Sequence, residues 1–119
     1  MGKTVVLGAS PNKLRFSNRA VKSLQRHNFE VVPIGIREGT IANIEIVKGK
    51  PPLDHVHTVA LYLNPENQKD YYKYILDLSP RRIIFNPGTV NPELMQIARE
   101  NNIQPVIDCA LIMLNSQRY

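Results

Sequence analysis

The chain contains a single cysteine, Cys109, among its 119 residues. One cysteine excludes an internal disulfide and any zinc site built from several cysteines, and it is typical of proteins in the reducing cytoplasm. Long apolar stretches are also missing, since no run approaches the roughly 20 residues that a membrane-spanning helix requires. No charged segment followed by an apolar one opens the chain. We therefore expect a soluble, cytoplasmic protein without a membrane partner.

Acidic residues are scarce relative to basic ones. Ten Asp and Glu residues stand against 15 Lys and Arg residues, which gives a formal net charge of +5 at pH 7. A positive net charge favours an anionic partner. Because the basic residues are spread along the chain rather than gathered in one run, we expect a phosphorylated small molecule and no nucleic acid. The composition identifies no protein partner.

Short apolar runs alternate with helical patterns along the chain. The residues of these runs are mostly β-branched or aliphatic and do not alternate with polar ones, which is typical of strands buried on both faces. They lie at residues 4–7, 30–34, 58–63, 82–85 and 105–107. This alternation predicts a single α/β domain over residues 1–119, with a doubly wound, mostly parallel five-stranded sheet in a three-layer, Rossmann-like fold. Residues 44–47 are expected to form a short edge strand or an irregular crossover.

Two helix starts share the pattern Asn-Pro-Glu, at residues 64–66 and 91–93. Asn is a good N-cap, proline is tolerated at the first helical position, and a carboxylate in the first turn complements the helix dipole. These two boundaries are therefore predicted from local chemistry alone.

The first predicted strand ends at Gly8 and leads into an amphipathic helix. A glycine turn followed by a helix start offers backbone N–H groups and a positive dipole end to a phosphate. The dinucleotide pattern G-x-G-x-x-G is incomplete, since Ser10 and Lys13 replace its other glycines. The alternative is an ordinary loop in which Ser17 caps the helix and the basic residues are solvated. The candidate phosphate-binding residues are Gly8, Ala9, Ser10, Pro11, Asn12, Lys13, Ser17 and Arg19.

The second predicted strand is followed by Gly35, Ile36 and Arg37. Rossmann dehydrogenases that use NAD carry an acidic residue near this place to bind the ribose hydroxyls. An arginine suits a ribose phosphate better, because its guanidinium can bind two phosphate oxygens. This disfavours NAD and favours NADP or coenzyme A, unless Arg37 is only a surface residue.

The next two strand-end loops each contain an Asn-Pro pair. Turn chemistry alone explains such pairs, so they are either ligand contacts or scaffold. The candidate residues are Tyr62, Leu63, Asn64, Asn86, Pro87 and Gly88.

No catalytic constellation emerges from the sequence. His55 and His57 precede the third strand, at the edge opposite the strand-end loops, and a metal site with Asp54 is disfavoured by the spacing. Cys109 has no histidine nearby in sequence, and a buried, small apolar role is favoured over a nucleophilic one. We therefore expect no enzymatic activity.

The chain resembles the small stand-alone proteins of the CoA-binding-domain family, which are related to the nucleotide-binding domain of the succinyl-CoA synthetase alpha subunit. The resemblance lies in residues 6–12 with 17–21, 31–34, 62–65, and 86–89 with 91–94. It implies a Rossmann-type fold with coenzyme A across the strand-end loops. No histidine matches the phosphohistidine of the synthetase, so ligase activity is not implied.

The resemblance also assigns parts of the coenzyme to loops. Residues 10–13 would contact the coenzyme in the first loop, and Arg37 would lie near the adenosine phosphate. Residues 62–64 would line the next part of the groove. Residues 86–88 would border the pantetheine end. The expected function is thus non-catalytic binding of coenzyme A or an acyl-CoA. The alternatives are an NADP-dependent oxidoreductase and an interaction protein with a vestigial nucleotide fold.

Overall fold

The computed structural model describes residues 2–119. In chain order, its elements are β1 (Lys3–Leu7), α1 (Phe16–Arg26), β2 (Val31–Ile34), β3 (Thr40–Ile41), β4 (Ile44–Glu45), β5 (Val56–Leu61), α2 (Pro65–Gln68), a 3-10 turn (Lys69–Tyr71), α3 (Tyr72–Leu78), β6 (Arg82–Phe85), α4 (Pro92–Glu100), β7 (Gln104–Ile107) and α5 (Ala110–Asn115). None of the helices in this described range is long and apolar enough to cross a membrane.

Five strands form one parallel sheet in the order β2-β1-β5-β6-β7. This confirms the predicted doubly wound, Rossmann-like fold. The aliphatic runs form its central strands, and Val59, Ala60 and Leu61 of β5 are fully buried. One face of the sheet packs against α3 and α4, and the other packs against α1 and α5. Burial on both faces explains why β1, β5 and β6 lack polar alternation. The expectation fails for the edge strand β7, where Ile107 is 60% exposed because no further strand or helix within residues 2–119 covers it.

The segment after β2 is an irregular crossover that touches the sheet at one point. β3 and β4 form a small antiparallel hairpin, while Val47 makes a single parallel bridge to Ile34. The amide of Val47 donates to the carbonyl of Pro33 at 2.9 Å. In the Rossmann strand order 3-2-1-4-5-6, a third strand lies outside the second one. The bridge of Val47 occupies that outer position beside β2. The predicted segment at residues 44–47 is thus split between the hairpin and this bridge.

Each edge strand of the sheet contains a proline. The carbonyl of Pro33 faces Val47, so its missing N–H lies on the side of β2 away from β1. In β7, the amide of Gln104 donates to Arg81, which places Pro105 with its nitrogen facing away from β6. Proline at an outward position costs no ladder hydrogen bond and discourages pairing with another chain.

The two Asn-Pro-Glu sequences begin helices as predicted. The side chain of Asn64 accepts a hydrogen bond from the amide of Asn67 at 2.9 Å, and that of Asn91 accepts one from the amide of Leu94 at 3.2 Å. Both caps lie directly after strand-end loops. They therefore fix where the chain turns away from the carboxyl edge of the sheet.

Candidate ligand-binding cleft

A cleft of about 760 Å³ opens where the parallel strands end. This volume is typical of small-molecule sites, and the carboxyl edge of a doubly wound sheet is where ligands bind. Its lining comes from the loops that follow β1, β2, β5 and β6. The predicted residues that line it are Gly8, Ser10, Ser17, Gly35, Ile36, Arg37, Tyr62, Leu63, Asn64, Pro87 and Gly88.

The remaining predicted residues lie outside the lining. Ala9 and Asn86 are buried, with 5% and 1% of their surface exposed. The others are on the first loop and the outer face of α1; they are Pro11, Asn12, Lys13 and Arg19.

Gly8 and Gly35 allow three loops to meet at the floor of the cleft. Gly8 has a φ of +100°, and a Cβ there would lie 3.0 Å from the carbonyl carbon of Tyr62. A Cβ on Gly35 would lie far inside van der Waals contact with the carbonyl oxygen of Ala9. A side chain at either position would therefore push neighbouring loops apart.

The backbone amides of the glycine turn are already used within the fold. Gly8 and Ala9 both donate to the carbonyl of Ile34, each at 2.9 Å. The turn therefore joins the loops after β1 and β2, and these two amides are not open to a ligand. Their pairing depends on a strand distant in sequence, which is why the loop sequence did not indicate it.

Open amide donors lie instead at the start of α1. Asn18 and Arg19 donate to the carbonyl of Arg15, at 3.1 and 3.3 Å. The amides of Phe16 and Ser17 precede the first intrahelical hydrogen bond and have no acceptor within residues 2–119. Both residues line the cleft. Unpaired amides and the positive end of the helix dipole together attract an anion.

The first turn of α1 lacks the features that stabilise α2 and α4. Arg15 occupies its N-cap position, and among the described residues no side chain caps the helix. The interpretation of Ser17 as the cap is wrong, because Ser17 is the second helical residue and is buried. Its first turn has no acidic residue, whereas α2 and α4 each have a Glu there. A bound anion would supply the missing negative charge.

Asn12 orders the first loop from within. Its side-chain oxygen accepts a hydrogen bond from the amide of Leu14 at 2.9 Å, and its own amide donates to the hydroxyl of Ser10 at 3.1 Å. The side chain of Asn18 also donates to the carbonyl of Ser10 at 2.9 Å. Asn12 thus supports the conformation of the loop that leads into α1.

The charged residues of the lining are Arg15, Arg37 and Asp70. The two arginines belong to the loops after β1 and β2, whereas Asp70 lies in the 3-10 turn after β5. Arg19 does not line the cleft, and its guanidinium lies 5.4 Å from the centre of the Phe16 ring. The cleft therefore has a cationic end and an end that carries a carboxylate.

Two exposed apolar side chains stand in the loops at the cationic end. Phe16 is 65% exposed and Ile36 is 83% exposed, and both line the cleft. Exposed side chains of this size lose unfavourable contact with water when a flat or apolar group packs against them.

Gln68 connects the two loops at the other end of the cleft. It is completely buried, and its side-chain amide donates to the carbonyls of Leu63 and Thr89, at 2.8 Å each. Its side-chain oxygen accepts from the side chain of Asn91 at 3.0 Å. Asn91 also donates to the hydroxyl of Tyr72 at 2.8 Å. Gln68 does not line the cleft, but it sets the separation of two loops that do.

Asn86 has a similar supporting role. Its side-chain nitrogen donates to the carbonyl of Leu61 at 2.9 Å, and its side-chain oxygen accepts from the amide of Ala110 at 2.8 Å. Asn86 therefore ties the ends of β5 and β6 to the start of α5, rather than facing the cleft.

Tyr62 forms part of the wall, with its hydroxyl turned inward. Its ring packs against the cluster that contains Val6 and Ala9, and its hydroxyl oxygen is buried without a hydrogen-bond partner in residues 2–119. Burial raises the pKa of this phenol, and the neighbouring Cys109 adds to the shift. Tyr62 is therefore a neutral wall residue.

The cysteine and the histidines do not line the cleft. Cys109 is half-buried rather than fully buried, and its amide donates to the carboxylate of Asp108 at 2.7 Å. Asp54 pairs with Lys3 at 3.0 Å, while Nδ1 of His57 is 2.8 Å from the hydroxyl of Thr58. Across residues 2–119, no group of three His, Cys, Asp or Glu side chains is arranged to hold a metal ion.

Several lining residues carried no signal in the sequence. Phe16 was not predicted because an apolar side chain gives no phosphate-binding signal in a sequence. Asn67, Asp70 and Tyr71 follow a correctly predicted helix start, but their approach to the cleft depends on the 3-10 turn. The lining residues not predicted are Phe16, Ile34, Asn67, Asp70, Tyr71 and Thr89.

Residues 2–115 match the model of the protein family described as the CoA binding domain. The chain belongs to this CoA-binding-domain family. A crystal structure of an uncharacterized protein is 44% identical and has a TM-score of 0.97, with 100% of this chain and 98% of that chain covered. Membership in this family supports a CoA-binding role at a coarse level.

More distant structures share the fold. A hypothetical protein from Pyrococcus horikoshii OT3 is 20% identical, with a TM-score of 0.85 over 98% of this chain and 82% of that chain. A protein from Thermus thermophilus is 19% identical, with a TM-score of 0.84 over 99% of this chain and 91% of that chain. No curated protein sequence matches the chain.

Proposed function

We propose that the protein binds coenzyme A or an acyl-CoA in this cleft, with the diphosphate at the start of α1. The open amides of Phe16 and Ser17, next to Arg15, carry this proposal. They combine unpaired N–H donors, a helix dipole and a guanidinium, which is a donor set suited to phosphate oxygens. Membership in the CoA-binding-domain family supports the same class of ligand.

The adenosine end of the ligand is assigned to the loop after β2. Arg37 is the proposed partner of the ribose phosphate, since a guanidinium can bind two phosphate oxygens at once. The adenine ring would pack between Phe16 and Ile36, whose exposed side chains would then be removed from water.

The pantetheine arm is assigned to the loops after β5 and β6. This arm is uncharged and needs no cationic partner, so it can lie near Asp70. The opposite orientation would leave both arginines without an anionic partner. The charges of the lining therefore favour phosphates at the α1 end.

We further propose that the protein holds its ligand without transforming it. The ionisable side chains in the lining are two arginines, two tyrosines and Asp70. A nucleophile beside a general base is the usual signature of covalent catalysis. Among the described residues, those that line the cleft include no histidine or cysteine, and this composition supports a binding role.

Calorimetric titration with coenzyme A, dephospho-coenzyme A, NADP and NAD tests this function. Coenzyme A should bind most tightly, and dephospho-coenzyme A should bind more weakly because Arg37 loses its partner. NADP binding tighter than that of coenzyme A, with hydride transfer, would replace the proposal with an oxidoreductase. Absence of binding by any nucleotide would support an interaction protein.

A further inference from the structure

The outer face of α1 carries a continuous row of cations. Arg15, Arg19, Lys22 and Arg26 are separated by four, three and four residues, which places them along one side of a helix. The opposite side, which includes Val21 and Leu24, is buried against the sheet. No Asp or Glu occurs between Lys3 and Glu30. We call this row the α1 cationic face. Basic residues occur throughout the chain, but here four of them lie on one side of a single helix with no acidic residue among them.

This arrangement is unfavourable for the helix itself. Like charges four residues apart repel, by about 0.2–0.5 kcal/mol for each pair, and cations in the first turn oppose the helix dipole. Within residues 2–119, none of the four takes part in an ion pair, while Lys3, Lys48, Lys69, Lys73 and Arg118 all do. Residues that lower the stability of their own helix are expected at positions where function requires them.

The row begins at the cleft and extends away from it. Arg15 lines the cleft, whereas Arg19, Lys22 and Arg26 do not. With a rise of 1.5 Å per residue, Arg26 is about 16 Å along the helix axis from Arg15. Since Lys22 and Arg26 lie outside the lining, a ligand held within the cleft would not contact them.

We infer that the α1 cationic face steers the polyanionic ligand toward the cleft, raising its association rate without contacting the bound ligand. This inference rests on the proposed function, because it requires a ligand with several phosphates. Charged surfaces of this kind increase association rates by about 10-fold to 1,000-fold in strongly steered systems. The effect depends on ionic strength, since the screening length is about 30 Å at 0.01 M salt and 3 Å at 1 M.

The test compares two double variants that remove the same charge. K22Q/R26Q neutralises the distal part of the α1 cationic face, and R81Q/R99Q neutralises two exposed arginines outside it that likewise form no ion pair within the described chain. Association and dissociation rates of coenzyme A are measured by stopped flow at 0.01 M and 0.5 M salt. Thermal unfolding of each variant confirms that it is folded.

At 0.01 M salt, K22Q/R26Q should associate about 3-fold to 10-fold more slowly than R81Q/R99Q, with dissociation rates equal within about 2-fold. The difference in association should disappear at 0.5 M salt. Equal association rates at low salt would overturn the inference, and so would a loss of affinity that comes from faster dissociation, because that indicates contact. Absence of coenzyme A binding by the unmodified protein would overturn the proposed function together with the steering.

Discussion

The side-chain amide of Gln68 donates to the carbonyl of Thr89 at 2.8 Å, although 21 residues separate them in sequence. The same nitrogen donates to Leu63, so that one buried side chain connects the loops after β5 and β6. Buried hydrogen bonds of this type are costly to break because the remaining groups cannot reach water. The geometry of the proposed pantetheine end therefore depends on a residue that never faces the ligand.

Substituting Gln68→Met should affect one end of the ligand more than the other. The loss of its hydrogen bonds should lower the free energy of unfolding by about 2–3 kcal/mol and weaken binding of coenzyme A. Adenosine 3′,5′-bisphosphate, which lacks pantetheine, should bind nearly as before. Chemical unfolding and calorimetry check these effects, with Gln96→Met on the exposed face of α4 as the control. An equal loss of affinity for both ligands would contradict the positioning role.

Substituting Arg15→Asp should change stability and binding in opposite directions. Arg15 has the extended backbone of an N-cap residue, with φ −78° and ψ 142°, but no capping side chain. Aspartate there should cap α1 and raise the free energy of unfolding by about 0.5–2 kcal/mol, while repelling the phosphates and reducing affinity for coenzyme A at least 10-fold.

Arg15→Gln is the matched variant for this prediction. It removes the cation without adding a carboxylate, so it should weaken binding less and leave stability nearly unchanged. Urea unfolding and calorimetry measure both quantities. A destabilised Arg15→Asp protein would contradict the capping effect, and one that binds as the wild type does would contradict an anion site at the start of α1.

Gly35→Ala should separate the loops at the floor of the cleft. The added Cβ would clash with the carbonyl oxygen of Ala9, a backbone atom that cannot move alone. We expect a loss of about 2–3 kcal/mol in the free energy of unfolding and weaker ligand binding. Gly49→Ala is the control, since nothing lies within 4 Å of that Cβ and only its φ of +82° is unfavourable. Equal stability of the two variants would refute the close approach.

His57 should make stability depend on pH. Burial lowers the pKa of His57, and the neighbouring Arg82 and Arg81 lower it further. Because the folded-state pKa lies below the unfolded value of about 6.5, the stabilising contribution is present above that pH and is lost as pH falls through the folded pKa. His57→Gln should flatten the rise in stability as pH increases toward the unfolded value of about 6.5. Parallel pH profiles of unfolding for variant and wild type would contradict this.

The sequence predicted those parts of the fold whose determinants are local. The buried strands were recognisable because Val59, Ala60 and Leu61 belong to an uninterrupted aliphatic run, and Asn64 and Asn91 cap helices by reaching only three residues ahead. Alternation of these elements then limited the topology to a parallel, doubly wound sheet. The carboxyl edge of that sheet gave the position of the cleft.

The parts that were not predicted depend on contacts between distant segments. Ser17 has a side chain suited to a helix cap, but α1 begins at Phe16. Its N-cap position is Arg15, which makes no capping hydrogen bond. The amides of Gly8 and Ala9 are occupied by Ile34, which only the pairing of β1 with β2 brings near. Gln68 is a polar residue in a short helix, and nothing local distinguishes it from an exposed one.

We propose that coenzyme A binds with its phosphates at the start of α1. This position can be tested by titrating coenzyme A into ¹⁵N-labelled protein and following the amide chemical shifts by NMR. The amides of Phe16 and Ser17 should show the largest shifts, while those of His57 and Asn102, outside the cleft, should stay unchanged. Unchanged spectra at millimolar coenzyme A, or shifts confined to residues outside the cleft, would contradict binding at the start of α1.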